Sequence, residues 1–291
     1  MVVGASLTGS AFSTASAAQA RVIQNPKRRF LGVLPSTLHR KTLTAGTANG
    51  TPPLTYHGGP VVHSSRAYAI FWKPSGTYIS AAYQAELGQY FKDVGADSWK
   101  TSNVYAASTQ YCSGVVVGAT ACTSATNNFA SYSVANGGST VDMTAFPTTN
   151  NCPNYTLGDG STTTRCLTDA QVQAEVNKVV AAKHWTTGLG TEFFVFTPAH
   201  VGECFTLGGT GDPNGGCYDP EFFNGFCAYH SSISGKTLYA FQPWADVSGC
   251  QYANTPDNPY PNDDGADTTI NVVSHEHNET SHRPAGDCVV G

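Results

Sequence analysis

The chain is short of charge. Asp, Glu, Lys and Arg make up only 12% of its 291 residues, and no acidic residue occurs before Glu86. Six of the 15 basic residues (Arg21, Lys27, Arg28, Arg29, Arg40 and Lys41) fall before residue 42, so from there on 9 basic residues face 20 acidic ones. A body with that balance excludes the phosphate-neutralising surface that nucleic acid requires. Also missing is any Cys-x-x-Cys, which excludes zinc-finger and thioredoxin-like readings of the nine cysteines. There is no Gly-x-Ser-x-Gly nucleophile elbow. The glycine-rich stretch 207–220 lacks phosphate-loop spacing. No run is long and apolar enough to span a bilayer.

What the chain does have is 40% hydrophobic residues, 11% aromatics and abundant Gly, Ser, Thr and Asn. That mixture describes a secreted, loop-rich domain with a real core. Residues 1–20 are small and apolar and end in Ala18-Gln19-Ala20, an A-x-A cleavage signal. No basic region precedes it, so the reading is a partial signal peptide whose start lies upstream of Met1. Residues 21–53 are basic, then rich in Thr and Gly, and close on Pro52-Pro53, as in a linker or pro-segment. The remainder, 54–291, reads as one domain.

Cysteine usage agrees with an oxidising compartment. Cys112/Cys122 and Cys152/Cys166 form two short-loop pairs in loop-rich stretches that need cross-links. Cys204, Cys217, Cys227 and Cys250 can pair in three ways, and Cys288 is left over.

Local patterns predict a mixed α/β (α+β) fold. Ala67–Trp72, Glu192–Thr197 and Thr237–Phe241 read as strands. Ile79, Tyr83, Leu87 and Phe91 recur every four residues, giving a helix over 80–94. Thr168-Asp169-Ala170-Gln171 is a capping-box start, followed by Val172, Val176, Val179 and Val180 on one face. Residues 103–165 read as irregular or β. A last helix is expected over 268–281, capped by Asp267 or a neighbour and ended by Pro284.

That last helix carries His275-Glu276-His277-Asn278-Glu279. His275 and Glu279 are one turn apart and share a face, so an imidazole and a carboxylate can bind one Zn²⁺. Glu276 is then placed as general base. The pattern is that of a zincin helix with Glu replacing the second His. His277, on the other flank with Ile270 and Val273, is expected to pack.

Leu54-Thr55-Tyr56-His57-Gly58-Gly59-Pro60 leads to Ile70-Phe71-Trp72, and Trp99-Lys100 stands before Tyr105. Further blocks are Leu167–Val172, Gly202-Glu203-Cys204-Phe205, Cys227-Ala228-Tyr229-His230-Ser231, Tyr239–Pro243, and Asp264-Gly265 running into Val273-Ser274-His275-Glu276. Together these blocks resemble the Exordium, or phosphate-induced protein, family. The resemblance spans roughly 54–280. It implies an extracellular or cell-wall-associated protein, a single zincin-like domain with a central sheet and long disulfide-stabilised loops, and a metal helix that some members retain and others lack.

After Glu279 the family pattern calls for a segment like Thr-Ser-Ile-Asp-Pro and then further acids. This chain has Thr280-Ser281-His282-Arg283-Pro284, which reads as a truncation or frameshift after about 280. The third zinc ligand is therefore expected to be weak or absent. Asp287, folding back past Pro284, is one candidate. His282 is another, although it sits about 10 Å along the axis from His275. His230 and His57 read as hydrogen-bonded structural histidines, and Trp72, Trp99, Trp185 and Trp244 as core.

The functional expectation is a secreted, zinc-dependent, peptidase-like metallohydrolase. The alternative is a non-catalytic extracellular protein with a relic metal site. The partner would be an extracellular peptide, protein or cell-wall component, with no nucleic acid and no membrane span.

Overall fold

The computed structural model describes residues 24–25, 28–29, 31–35, 55–102, 104–122, 128–212, 216–218, 225–251, 260–282 and 289–290. It gives backbone alone for 24–25, 28–29, 31–35, residue 282 and 289–290. Ala18-Gln19-Ala20, Asp287 and Cys288 lie outside the described residues, as does most of the 21–53 segment. The strands and helices are β1 (Gln24–Asn25), β2 (Arg28–Arg29), β3 (Leu31–Pro35), β4 (Thr55–Tyr56), β5 (Ser65–Trp72), α1 (Ala81–Ala96), β6 (Val134–Asp142) and β7 (Arg165–Thr168). They continue with α2 (Asp169–Lys183), β8 (Thr191–Phe196), β9 (Val201–Cys204), β10 (Phe226–Ile233), β11 (Thr237–Gln242), α3 (Asp264–His282) and β12 (Val289–Val290).

Apolar residues on both faces of β5 put it in the middle of a sheet. Ala67, Ala69 and Phe71 enter one core cluster, and Tyr68, Ile70 and Trp72 enter the other, as the two-residue period of a strand requires. Phe194 and Phe196 of β8 divide from Phe193 and Val195 in the same way. The central sheet runs β3-β10-β11-β8-β5-β6. β6, β5, β8 and β11 are mutually parallel, whereas β10 is antiparallel to both β11 and β3.

The chain leaves β5 through α1 to reach β6, then returns past β5 through α2 to reach β8. These two crossovers run in opposite directions. Right-handed connections therefore place α1 and α2 on opposite faces. Accordingly, Tyr83, Leu87 and Phe91 of α1 pack on the Ala67/Ala69/Phe71 face, and Val172, Val176, Val179 and Val180 of α2 on the other. α3 follows β11 and returns to the α1 face, against α1, β10, β11 and β3.

Helix ends follow local chemistry. Ser80 caps α1 by accepting the Tyr83 N–H, and the Gln171 side chain accepts the Thr168 N–H at the start of α2. α3 begins four residues before the expected start. Its cap is Asp263, whose Oδ1 accepts the Ala266 N–H, while Asp267 accepts from Asn262.

Four disulfides close the loops: Cys112–Cys122, Cys152–Cys166, Cys204–Cys217 and Cys227–Cys250. The middle two flank β7 and β9, a small parallel pair missed from sequence. Trp72 is buried, whereas Trp99 is 71% exposed, against the expectation of core packing. Its left-handed backbone, φ 66°, turns the side chain away as the chain leaves α1.

Candidate metal centre

His230 of β10 pairs across the ladder with Ala240 of β11. Facing residues of paired strands share a sheet face, and Ala240 belongs to the cluster on the α3 side. His230 thus points at α3, where a small neighbour lets the helix come close. On α3, Glu276 and Glu279 are three residues apart and share a flank. Tertiary packing completes the group: one ligand atom from each of His230, Glu276 and Glu279 lies within 4.8 Å of the other two. His230 Nδ1 is 2.8 Å from Glu276 Oε2. The three residues are 1%, 0% and 9% exposed.

The remaining positions of the expected site fall out differently. His275 and Glu279 meet as their spacing predicts, with Nε2 3.3 Å from Oε1. His275 sits on the outer flank, its side chain 18% exposed, and does not belong to the trio. Glu276 faces inward against β10, where it meets His230, and Glu279 stands between it and His275, belonging to both groupings. His282 ends α3, and Asp287 is outside the described residues. His57 is exposed, its Nε2 2.9 Å from Thr55 Oγ1.

From the sequence alone, His230 reads as a structural histidine. Its one signal was the Cys227-Ala228-Tyr229-His230 block, and nothing in that block points to a helix 46 residues away.

One imidazole nitrogen and two carboxylate oxygens form a donor set that suits zinc and other first-row divalent metals. A second cluster, Cys152, Cys166 and Cys204, also has its ligand atoms within 4.8 Å of one another. Its sulfurs are tied up in disulfides, and only a thiolate binds metal.

Beside the trio, His277 is 2% exposed among the rings of Phe194, Tyr105, Phe91 and Tyr90. Its Nε2 is 4.0 Å from Glu192 Oε2. Burial pushes Glu192 up to about 8 and His277 down to about 4, so both are neutral at pH 7.

A cleft of about 450 Å³ lies elsewhere, lined by Glu86, Tyr90, Val94, Tyr105, Tyr132 and Ile270 among others, and no residue of the trio reaches it. Among the described residues, no helix is long and apolar enough to cross a membrane. No family model, curated protein or solved structure matches the chain.

Proposed function

We propose that the protein is a secreted, peptidase-like metallohydrolase whose zinc is held by His230, Glu276 and Glu279. The observation that carries this reading is the convergence of those three donors from a strand and a helix remote in sequence. Zinc bound there would supply Lewis-acid polarisation of a carbonyl and a nucleophile at neutral pH. Glu276, drawn inward as a ligand, gives up the role of base. His275, partly exposed and 3.3 Å from Glu279, holds Glu279 in place and is the nearby group best placed to take up a proton.

The four disulfides support an oxidising, extracellular location. The Exordium-like blocks and a His-Glu-x-x-Glu helix packed on a central sheet support a zincin-like member of that family.

A non-catalytic protein with a relic site is the second reading. The 2.8 Å bond between His230 and Glu276 favours it, since a buried histidine and carboxylate can satisfy one another without metal. Metal analysis of the purified protein, with peptide hydrolysis by wild type, Glu276→Gln and His230→Ala, separates the two. Stoichiometric zinc and hydrolysis lost in both variants support the enzyme. Absence of both zinc and hydrolysis in the wild type leaves the relic.

A further inference from the structure

The trio is buried, and the strand β3 lies beside the two elements that carry it. β3 comes from the basic segment that precedes the domain, yet it forms the edge of the central sheet. It pairs with β10, placing Leu31 opposite His230, Val33 opposite Tyr229, Leu34 opposite Ala228 and Pro35 opposite Phe226. It also lies against α3. A single five-residue strand therefore abuts both elements that supply the trio.

β3 is poorly built to hold that place. Its register with β10 slips twice, between Phe226 and Ala228 and between Tyr229 and His230, whereas the β10–β11 ladder runs five pairs without a shift. Gly32 weakens a strand, and Pro35 brings no N–H to the ladder. β3's pairing ends at His230 and leaves Ser231–Ile233 of β10 beyond it. Just upstream stand Lys27, Arg28 and Arg29, and from residue 42 on the chain carries 20 acidic against 9 basic residues. Opposite charge guides such a segment onto the body without fixing it there.

We propose that the outer edge of β10 is a peptide-binding edge, and that β3 is its displaceable internal occupant. The ligand is an extended apolar peptide with basic residues on its N-terminal side, as in Lys27-Arg28-Arg29-Phe30-Leu31-Gly32-Val33-Leu34. It adds antiparallel to β10 through main-chain hydrogen bonds. While β3 is in place the edge is closed. Release of β3 opens the edge and uncovers the flank of α3 that lies against it. Hydrolysis of the bound peptide rests on the metal reading above; binding does not, because it uses backbone groups of β10.

The probe is a fluorescein-labelled peptide spanning residues 27–36, followed by fluorescence polarisation in EDTA. Three forms of the full chain are compared: wild type, Val33→Pro, and a chain carrying an inserted protease site between residues 45 and 50, cut before the assay. Proline removes an N–H and fixes φ, which disfavours β3. Because a closed edge lowers apparent affinity by the fraction open, both released forms should bind at least about tenfold tighter than wild type. A scrambled peptide should bind no form. The proposal is overturned if the cut chain, folded by near-ultraviolet circular dichroism, binds no better than wild type. Binding of the scrambled peptide with equal affinity also overturns it. Should Val33→Pro fail to fold, the cut chain decides alone. Tight binding in EDTA with no hydrolysis after zinc is restored would retain this edge and remove the enzymatic reading. Stoichiometric zinc with no peptide binding by the cut chain would do the reverse.

Discussion

His230 Nδ1 and Glu276 Oε2 meet at 2.8 Å across 46 positions of sequence, joining β10 to α3 with both side chains almost wholly out of water. Neither group tolerates burial alone. A charge or polar atom stripped of water and partner costs several kcal/mol, while a matched pair roughly breaks even.

Breaking the pair one side at a time should therefore be far worse than removing it whole. His230→Leu or Glu276→Leu in metal-free protein should each cost about 3–5 kcal/mol, and the double variant should lie within about 2 kcal/mol of wild type. Urea unfolding in chelator measures all four corners of the cycle. Additive single costs would show that the two side chains are not coupled.

Glu192 gives a pH dependence. Its folded pKa, about 8, is raised above the ordinary 4.5 by burial. Between those values the folded state holds a proton that the unfolded chain has lost. The stabilising contribution is therefore complete below pH 4.5 and is lost as pH rises through 8. Stability of the wild type minus that of Glu192→Gln should fall with pH across this window, by at most about 1.4 kcal/mol per unit. Titration of His277 in the unfolded chain is common to both proteins and cancels. Thermal unfolding at pH 5, 6.5 and 8 tests the sign; a flat difference would mean that Glu192 ionises normally.

Much of the frame was legible because it depends on short-range pattern. The four-residue period of Ile79, Tyr83, Leu87 and Phe91 marked α1, the apolar run Ala67–Trp72 marked β5, and the capping residues marked α2. β6 lies within 103–165, which reads only as irregular or β; Val134–Asp142 carries two glycines and scattered apolar residues, so its bounds come from pairing with β5. β3 escaped: a basic, proline-flanked segment becomes a strand only because β10 offers an unpaired edge. In the candidate site, the helix spacing gave His275 and Glu279. The inward turn of Glu276 and the arrival of His230 are set by how α3 lies on the sheet, which no local motif encodes.

Two helical glycines should respond oppositely to alanine. At Gly265 in α3, an added Cβ would sit 2.4 Å from Trp244 Cη2. That indole is stacked on buried Tyr83 with centroids 5.1 Å apart, and the Tyr83 hydroxyl donates to Thr269 at 3.1 Å, so the ring has little room to retreat. Gly265→Ala should destabilise by about 1–3 kcal/mol. At Gly88 in α1 nothing lies within 4 Å of the added atom, and Gly88→Ala should stabilise by about 0.5–1 kcal/mol. Denaturant midpoints of the two variants check this; equal shifts would mean that Trp244 moves aside freely.

The disulfides should open in a fixed order. Reduction begins when a thiolate reaches a sulfur in line, so access governs which bridge yields first. Cys152, Cys166, Cys204, Cys217, Cys227 and Cys250 are each at most 4% exposed, whereas Cys122 is only partly covered and its partner Cys112 is buried. Cys112–Cys122 also closes the shortest of the four loops, with a separation of 10 residues against 13, 14 and 23 for the others. Its loss restores the least chain entropy, about 2.7 kcal/mol. Mild reductant followed by alkylation and peptide mass mapping should label Cys112 and Cys122 first, while the fold and any bound zinc persist. Cys227–Cys250 should resist, because Cys227 lies in β10 three residues before His230 and is reached only when that strand lifts from the sheet. Early labelling of Cys227 would mean that β10 opens in the native state, and would place the weakest point of the sheet at the strand that carries His230.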